Sequence, residues 1–365
     1  MAKVSRKEVT ENREAKIAAA QELLAGEVAA LQSGEDWKRY LEFSARLHSY
    51  SPSNIMLLAA QYARLQAEGL VDHGQLNYVA GFHTWKALGR SVLKGQHGMM
   101  VLAPVRYREA VDGQGGSRRL GRGDRPTVGE SETVRVRGFT IEHVFAASQT
   151  HGADLPKPPR PQLLRGEAPV GLGAAVMGFI ESCGYTVGTV ESAEALNGAN
   201  GSTNWGSKKV LIRADMDDAA MVKTLIHEAA HVILHAGPPG QFLLRQHKEV
   251  EAESVAFVVL AVHGMPADDY SFPYVAGWAG DEGAKAVAAT QARVAKAAKE
   301  ILSVSLAEQS ASGRVPGAEA AIEAARLERA RSEALRVACS APCRTAGSSR
   351  RSTMTRRTSD LLHAR

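Results

Sequence analysis

The chain is poor in cysteine and in long apolar runs. Its 365 residues include three cysteines, two of which lie close together at positions 339 and 343. Such an odd, sparse set excludes a disulfide framework and favours a reducing compartment. No apolar run reaches the roughly 18 residues of a membrane-spanning helix. The first residues are charged and lack the apolar core of a secretory signal. We therefore predict a cytoplasmic protein with no membrane partner.

The net charge of the chain is also small. The chain has 44 basic and 39 acidic residues, a formal net charge of +5. Residues 1–150 hold 20 basic and 16 acidic side chains (+4), and residues 151–330 hold 16 and 21 (−5). Residues 331–365 hold 8 and 2 (+6). The total is therefore a poor argument for a nucleic-acid partner, whereas the uneven distribution predicts parts with different partners.

Composition along the chain predicts two domains. Five prolines lie between positions 152 and 169, a density that is typical of a linker. The predicted fold class is α+β, with helices and a small antiparallel sheet before the linker and a mostly helical domain with a small sheet after it. The predicted divisions are a first domain at 1–150, a linker at 151–169, a second domain at 170–305, and a basic, largely disordered tail at 306–365.

Several element boundaries have clear local signals. Ser51 followed by Pro52 predicts the start of a helix. Residues 99–107 and 133–145 alternate as two strands on either side of a glycine- and arginine-rich hairpin loop. A glycine- and asparagine-rich turn precedes an edge strand at 209–213. Further helices are predicted from Asp217 or Asp218 to His235, at 248–263 and at 281–304.

The segment His227-Glu228-Ala229-Ala230-His231 is the strongest chemical signal. Two histidines four residues apart share one face of a helix, so their imidazoles can bind one metal ion. Glu228 lies between them, where it can take a proton from a water held by the metal. The apolar residues on both sides predict a buried helix. Together these features predict a catalytic zinc site with Glu228 as the general base.

A catalytic zinc site needs a third protein ligand. His235 is a poor candidate, because three histidines at successive four-residue steps diverge around the helix axis and no glycine turn follows His231. The next predicted helix carries glutamates at positions 249, 251 and 253, and its apolar run indicates that it is buried. Glu249 and Glu253 share a face of this helix, whereas Glu251 points elsewhere. The residues alone leave all three glutamates open as ligands.

The pair of segments HEAAH and ExxAE resembles the gluzincin pattern of the ImmA/IrrE-like metallopeptidases. The resemblance implies Zn²⁺ bound by His227, His231 and Glu249, with Glu253 hydrogen-bonded to a ligand histidine and fixing its tautomer. It also implies a protein or peptide substrate. A tyrosine that follows this helix, Tyr270 or Tyr274, is expected to pack, with oxyanion stabilisation as the alternative.

A stretch free of acidic residues occupies positions 73–108 in the first domain. Basic side chains alternate there with Tyr78, Phe82, Trp85 and Tyr107. A cationic groove with aromatic faces is how proteins bind single-stranded nucleic acid, although aromatic residues on a short helix often belong to the core. The predicted DNA-binding residues are Trp85, Lys86, Arg90, Lys94, Arg106 and Arg108.

Short segments in this region resemble the N-terminal domain of ArdC-type antirestriction proteins, a module that binds single-stranded DNA. They are Tyr50-Ser51-Pro52-Ser53-Asn54, the run from Gly81 to Arg90, and Lys94-Gly95-Gln96-His97-Gly98. The resemblance implies a metallopeptidase joined to a single-strand-binding module in plasmid or phage biology. Two alternatives remain: an antirestriction DNA-binding protein with a non-catalytic metal site, and a regulatory protease that cleaves a repressor.

Overall fold

The computed structural model describes seven parts of the chain: residues 6–31, 33–71, 76–155, 166–265, 283–305, 315 and 317–328. The prediction for Tyr270 and Tyr274 lies outside the described residues. So do most of the proline-rich linker and most of the predicted tail.

Three helices open the chain, and their starts follow the local capping signals. Ser33 caps the second helix in a reciprocal capping box with Asp36. Ser51 accepts a hydrogen bond from the backbone N–H of Asn54 and Pro52 is the first helical residue, which confirms the predicted start of the third helix. The helices are α1 (Arg6–Ala30), α2 (Gly34–Arg46) and α3 (Pro52–Ala67).

A long hairpin dominates the sheet structure that follows. Its two strands pair over their whole length, with a bulge between Val105 and Arg106. The predicted loop is therefore shorter than expected, because both strands extend into it and a third short strand pairs there. The elements are β1 (Val79–Gly81), α4 (Phe82–Ala87), β2 (Arg90–Val92), β3 (Met99–Asp112), β4 (Ser117–Leu120), β5 (Glu130–Ala146) and β6 (Thr150–Gly152). They form a four-stranded antiparallel sheet in the order β1-β5-β3-β4 and a two-stranded pair β2-β6.

The described part of the second half is mainly helical and contains a small sheet, which confirms the predicted α+β class. Its sheet has the strand order β7 (Thr186–Val190), β9 (Lys209–Arg213), β8 (Gly201–Asn204), so 209–213 is the central strand and its prediction as an edge strand was wrong. One edge of this sheet is formed by Gly201–Asn204, which belong to the glycine- and asparagine-rich segment that the sequence predicts as a turn. The elements are α5 (Leu172–Ser182), β7 (Thr186–Val190), β8 (Gly201–Asn204), β9 (Lys209–Arg213), α6 (Asp218–His235), α7 (Arg245–Val262) and α8 (Gly283–Ser305).

One hydrophobic core connects helices of both halves. Trp37 and Leu41 of α2 and Val255 of α7 are fully buried in the same cluster of apolar side chains. The indole N–H of Trp37 donates to Ser254 Oγ at 2.9 Å. The boundary at 151–169 stays a prediction, but α2 packs directly on the helix that carries the three glutamates. Among the described helices, none is both long enough and apolar enough to cross a membrane.

Candidate metal centre and nucleic-acid interface

Helix α6 places two histidines side by side. Asp217 caps the helix by accepting a hydrogen bond from Ala220 N. Of the two predicted cap residues, Asp217 and Asp218, the first is therefore confirmed. One turn separates His227 from His231, and their ring centroids lie 4.8 Å apart. The two Nε2 atoms are 3.1 Å from each other. Both imidazoles therefore direct the same ring nitrogen toward one point.

Helix α7 adds a carboxylate at the same point. Glu249 Oε2 lies 3.4 Å from His227 Nε2 and 3.7 Å from His231 Nε2. One donor atom from each of these three side chains lies within 4.8 Å of the other two. Two imidazoles and one carboxylate are a typical ligand set for a divalent transition metal with open coordination positions. The chemistry of the donor atoms thus fits the metal that the sequence predicts.

The charges around this cluster favour a cation at its centre. Burial disfavours protonation of His227, but the hydrogen bond to Glu249 and the neighbouring carboxylates outweigh it and raise the pKa of the imidazole. Hydrogen bonds with His227 and His231 hold the pKa of Glu249 well below its ordinary value. The surroundings therefore stabilise positive charge on His227 and negative charge on Glu249. A divalent ion would meet the same favourable potential.

Glu228 lies next to the cluster and against strand β8. Its side chain is 5% exposed, and Thr203 Oγ1 donates to its Oε2 at 2.5 Å. A Cβ atom at Gly201 would lie 2.7 Å from Glu228 Oε1, so the absence of a side chain at this position makes room for the carboxylate. One oxygen of Glu228 is thus held by Thr203 while the other lies beside the glycine of the edge strand.

A cleft of about 1000 Å³ opens over these groups. Trp205 forms part of its wall, where its indole N–H donates to His231 O at 3.1 Å and Lys248 Nζ lies 5.1 Å from its ring centroid. The cleft is large enough to admit an extended peptide segment rather than only water. Its lining includes Asn197, Asn200, Gly201, Thr203, Trp205, Lys223, Thr224, His227, Glu228, His231, Arg245, Lys248, Glu249 and Glu253.

The three glutamates of α7 have different surroundings. Glu253 Oε1 lies 3.5 Å from His227 Nδ1, the ring nitrogen that points away from the cluster. Its Oε2 is buried and accepts no hydrogen bond from the described residues. Glu251 does not reach the cluster but faces His235 instead, with its Oε2 3.3 Å from His235 Nε2. The structure therefore brings Glu249 to the histidine pair and places Glu251 next to His235 instead. Glu251 as a metal ligand, one of the alternatives left open, was therefore wrong.

The sequence did not reveal the role of Glu251 and His235 in the core. His235 is the last residue of α6, as predicted, but it is 1% exposed there and burial lowers its pKa. Glu251 is fully buried. Burial opposes its ionisation, but hydrogen bonds from His235 and Arg293 outweigh this and lower its pKa. Arg293 belongs to α8, so only the packing of three helices reveals the pair.

In the N-terminal half, the prediction for Trp85 was wrong. The indole is fully buried and its N–H donates to Phe145 O at 3.0 Å, so its faces are not available for stacking. The exposed aromatic residue of the same short helix is Phe82, which is 50% exposed. Phe82 is the first residue of α4 and stays at the surface, whereas Trp85, one turn later, packs against β5. Phe82 therefore replaces Trp85 as the candidate stacking residue.

The predicted cations divide into two groups. Arg90 donates from Nε to Thr150 Oγ1 and from Nη2 to Thr150 O, so its guanidinium joins β2 to β6. Arg108 forms a two-point ion pair with Glu132, at 2.6 and 2.7 Å. Both are engaged within the protein. The remaining three, Lys86, Lys94 and Arg106, are exposed.

The family comparison concerns the N-terminal part, and the structure comparison concerns about 70% of the chain. A family model for the N-terminal domain of the anti-restriction factor ArdC matches residues 7–145. A metal-free crystal structure of the antirestriction protein ArdC from plasmid R388 is 21% identical, with 70% of this chain and 85% of that chain covered and a TM-score of 0.43. Its Mn(II)-bound structure is 19% identical, covers 71% and 90%, and has a TM-score of 0.40. A comparison with curated proteins found no match. Residues 7–145 are thus similar to the N-terminal domain of the anti-restriction factor ArdC.

Proposed function

We propose that this chain is a zinc-dependent metallopeptidase whose N-terminal part binds single-stranded DNA, in an antirestriction setting associated with mobile elements. The convergence of His227, His231 and Glu249 beside the carboxylate of Glu228 carries the peptidase proposal. A site of purely structural metal binding needs no further carboxylate at the mouth of a cleft. The position of Glu228 therefore favours catalysis over a non-catalytic site.

The chain's own residues divide the chemistry as follows. His227, His231 and Glu249 would hold the ion, which when bound lowers the pKa of a water ligand and polarises a substrate carbonyl. Glu228 accepts a proton at its carboxylate from the attacking water and returns it to the leaving amine. Thr203 keeps the Glu228 side chain in place through its hydroxyl.

The first test measures the metal content of the purified full-length chain. We expect about one equivalent of zinc in the parent and none in a His231→Ala variant, since two ligands alone hold the ion weakly. A His83→Ala variant is the matched control, because His83 lies on α4 outside the metal cluster. Titration of the metal-free chain with Mn(II) as well as Zn(II) identifies the metal, because imidazole and carboxylate ligands suit both. A parent that binds neither ion would overturn the metallopeptidase proposal.

The DNA-binding proposal is supported by the match of residues 7–145 and by exposed side chains of suitable chemistry. Phe82 offers an aromatic face, and Lys86, Lys94 and Arg106 are exposed cations in the same half. Stacking on an aromatic ring tolerates any base, and each neutralised phosphate adds salt-dependent affinity. Binding should therefore have little sequence preference.

Replacing Phe82 by alanine is expected to weaken binding of a labelled oligothymidylate by about 1–3 kcal/mol, the usual contribution of one stacked base. The triple replacement of Lys86, Lys94 and Arg106 by alanine should also flatten the dependence of affinity on salt. Fluorescence anisotropy over a series of salt concentrations measures both effects. Phe242→Ala is the matched aromatic control, because Phe242 is 77% exposed and lies in the other half. Binding that neither salt nor these variants change would sink this part of the proposal.

A further inference from the structure

We propose that His235, Glu251 and Arg293 form a buried hydrogen-bond chain that fixes the orientation and tautomer of the metal ligand His231. Through these hydrogen bonds the three residues position a metal ligand, although none of them is itself a ligand. The inference rests on the metal site of the proposed function, and it extends that site from α6 and α7 to α8.

The contacts are continuous from the cluster to the far helix. His231 Nδ1 lies 2.9 Å from His235 Nδ1. On the other side of the second imidazole, His235 Nε2 lies 3.3 Å from Glu251 Oε2. The second oxygen of Glu251 accepts hydrogen bonds from Arg293 Nε at 2.8 Å and from Thr290 Oγ1 at 3.2 Å. Arg293 Nη2 also donates to this oxygen.

Binding of a metal ion by His231 would determine the position of each proton along this series of hydrogen bonds. The ligand atom of His231 is Nε2, which must carry no proton, so the proton of the neutral ring is on Nδ1. That N–H can only be satisfied if His235 Nδ1 accepts it. The proton of His235 is then on Nε2 and points to Glu251. These proton positions require an acceptor opposite His235 Nε2. The Glu251 carboxylate, which also accepts hydrogen bonds from the guanidinium of Arg293, provides it.

The complete burial of the His235 and Glu251 side chains argues against a contact without a role. The side chains of His235 and Glu251 have no exposed surface. A carboxylate is costly to bury unless it is paired and hydrogen-bonded, so an apolar residue would be the ordinary occupant of position 251 if only packing mattered. The other ligand histidine has an analogous partner, since Glu253 lies 3.5 Å from His227 Nδ1. Each metal-binding imidazole thus has a carboxylate behind it, one directly and one through His235.

The test compares Zn(II) affinity of the full-length chain by competition with a chromogenic chelator. Loss of a partner that orients a metal-binding histidine usually weakens metal affinity about 10- to 100-fold. We expect a loss of this size for Glu251→Gln, because the amide has one acceptor oxygen instead of two and lacks the charge that pairs with the guanidinium of Arg293. Arg293→Lys should give a smaller loss in the same direction, because the ammonium keeps the charge but not the two-point geometry. Glu300→Gln on α8, at a half-exposed side chain that faces Lys296, is the matched control and should bind zinc as the parent does.

A spectroscopic readout separates positioning from general stability. Nitrogen-15 NMR of the zinc-loaded parent should show His231 protonated at Nδ1 and His235 protonated at Nε2. If Glu251→Gln fails to fold, Arg293→Lys and this tautomer assignment still decide the matter. Equal zinc affinity in the parent, Glu251→Gln and Arg293→Lys would overturn the inference while leaving the proposed function standing. A parent that binds no zinc would overturn both.

Discussion

Replacement of Glu228 by glutamine is expected to lower the rate of peptide hydrolysis at least about 10²-fold while leaving the metal content unchanged. The amide keeps the size of the side chain and can still accept the hydrogen bond from Thr203, but it cannot take a proton. None of the three ligand side chains is altered. The variant therefore separates proton transfer from metal binding.

The measurement is cleavage of a fluorogenic peptide library by the zinc-loaded parent and variant. Glu181→Gln is the matched control, since this exposed glutamate belongs to α5 and lies outside the cleft lining. Full activity of Glu228→Gln would rule out the proposed general base. A parent that binds zinc but cleaves no member of the library would instead favour the DNA-binding protein with a non-catalytic metal site.

Replacement of Trp37 by alanine is expected to destabilise the whole chain by about 3–5 kcal/mol, the usual cost of truncating a large buried aromatic residue. Trp37 is fully buried, and its N–H donates to Ser254 Oγ in the interior. Ser254 lies next to Glu253 on α7, so the variant should also weaken zinc binding. An effect on both properties would mean that the N-terminal helices support the metal centre.

Urea unfolding followed by circular dichroism measures the loss of stability. Trp37→Phe is the matched variant, because it keeps a buried aromatic ring while it removes the hydrogen bond and part of the indole, so a smaller loss than for Trp37→Ala is expected. Two separate unfolding transitions, of which Trp37→Ala shifts only the first, would contradict a shared core. That outcome would support two independently folding domains on either side of the proline-rich segment.

Local signals in the sequence were sufficient wherever one helix or one turn decides the geometry. The four-residue spacing of His227 and His231 predicts a shared helix face, and their Nε2 atoms do converge at 3.1 Å. The start of α3 at Ser51 and Pro52 follows from capping and from the fixed φ of proline. Such features depend on neighbours within about one helical turn.

Local signals failed where the partner of a residue is distant in the chain. Trp85 is buried because it meets the backbone of Phe145 on β5, which no pattern within its own short helix indicates. Strand β8 takes the edge of its sheet because it pairs with β9, although its composition is typical of a turn. In both cases packing outweighs local propensity.

The sequence by itself determined the residue types of the candidate metal centre and the α+β class, because helix periodicity and ligand chemistry are local properties. Only the tertiary structure decided which glutamate of α7 faces the histidine pair, since this depends on how α7 is rotated against α6. It also decided that Glu251 lies behind the site, where His235 and Arg293 from two other helices surround it. A buried carboxylate is retained only where such distant partners compensate its loss of hydration, and the chain must fold before they meet.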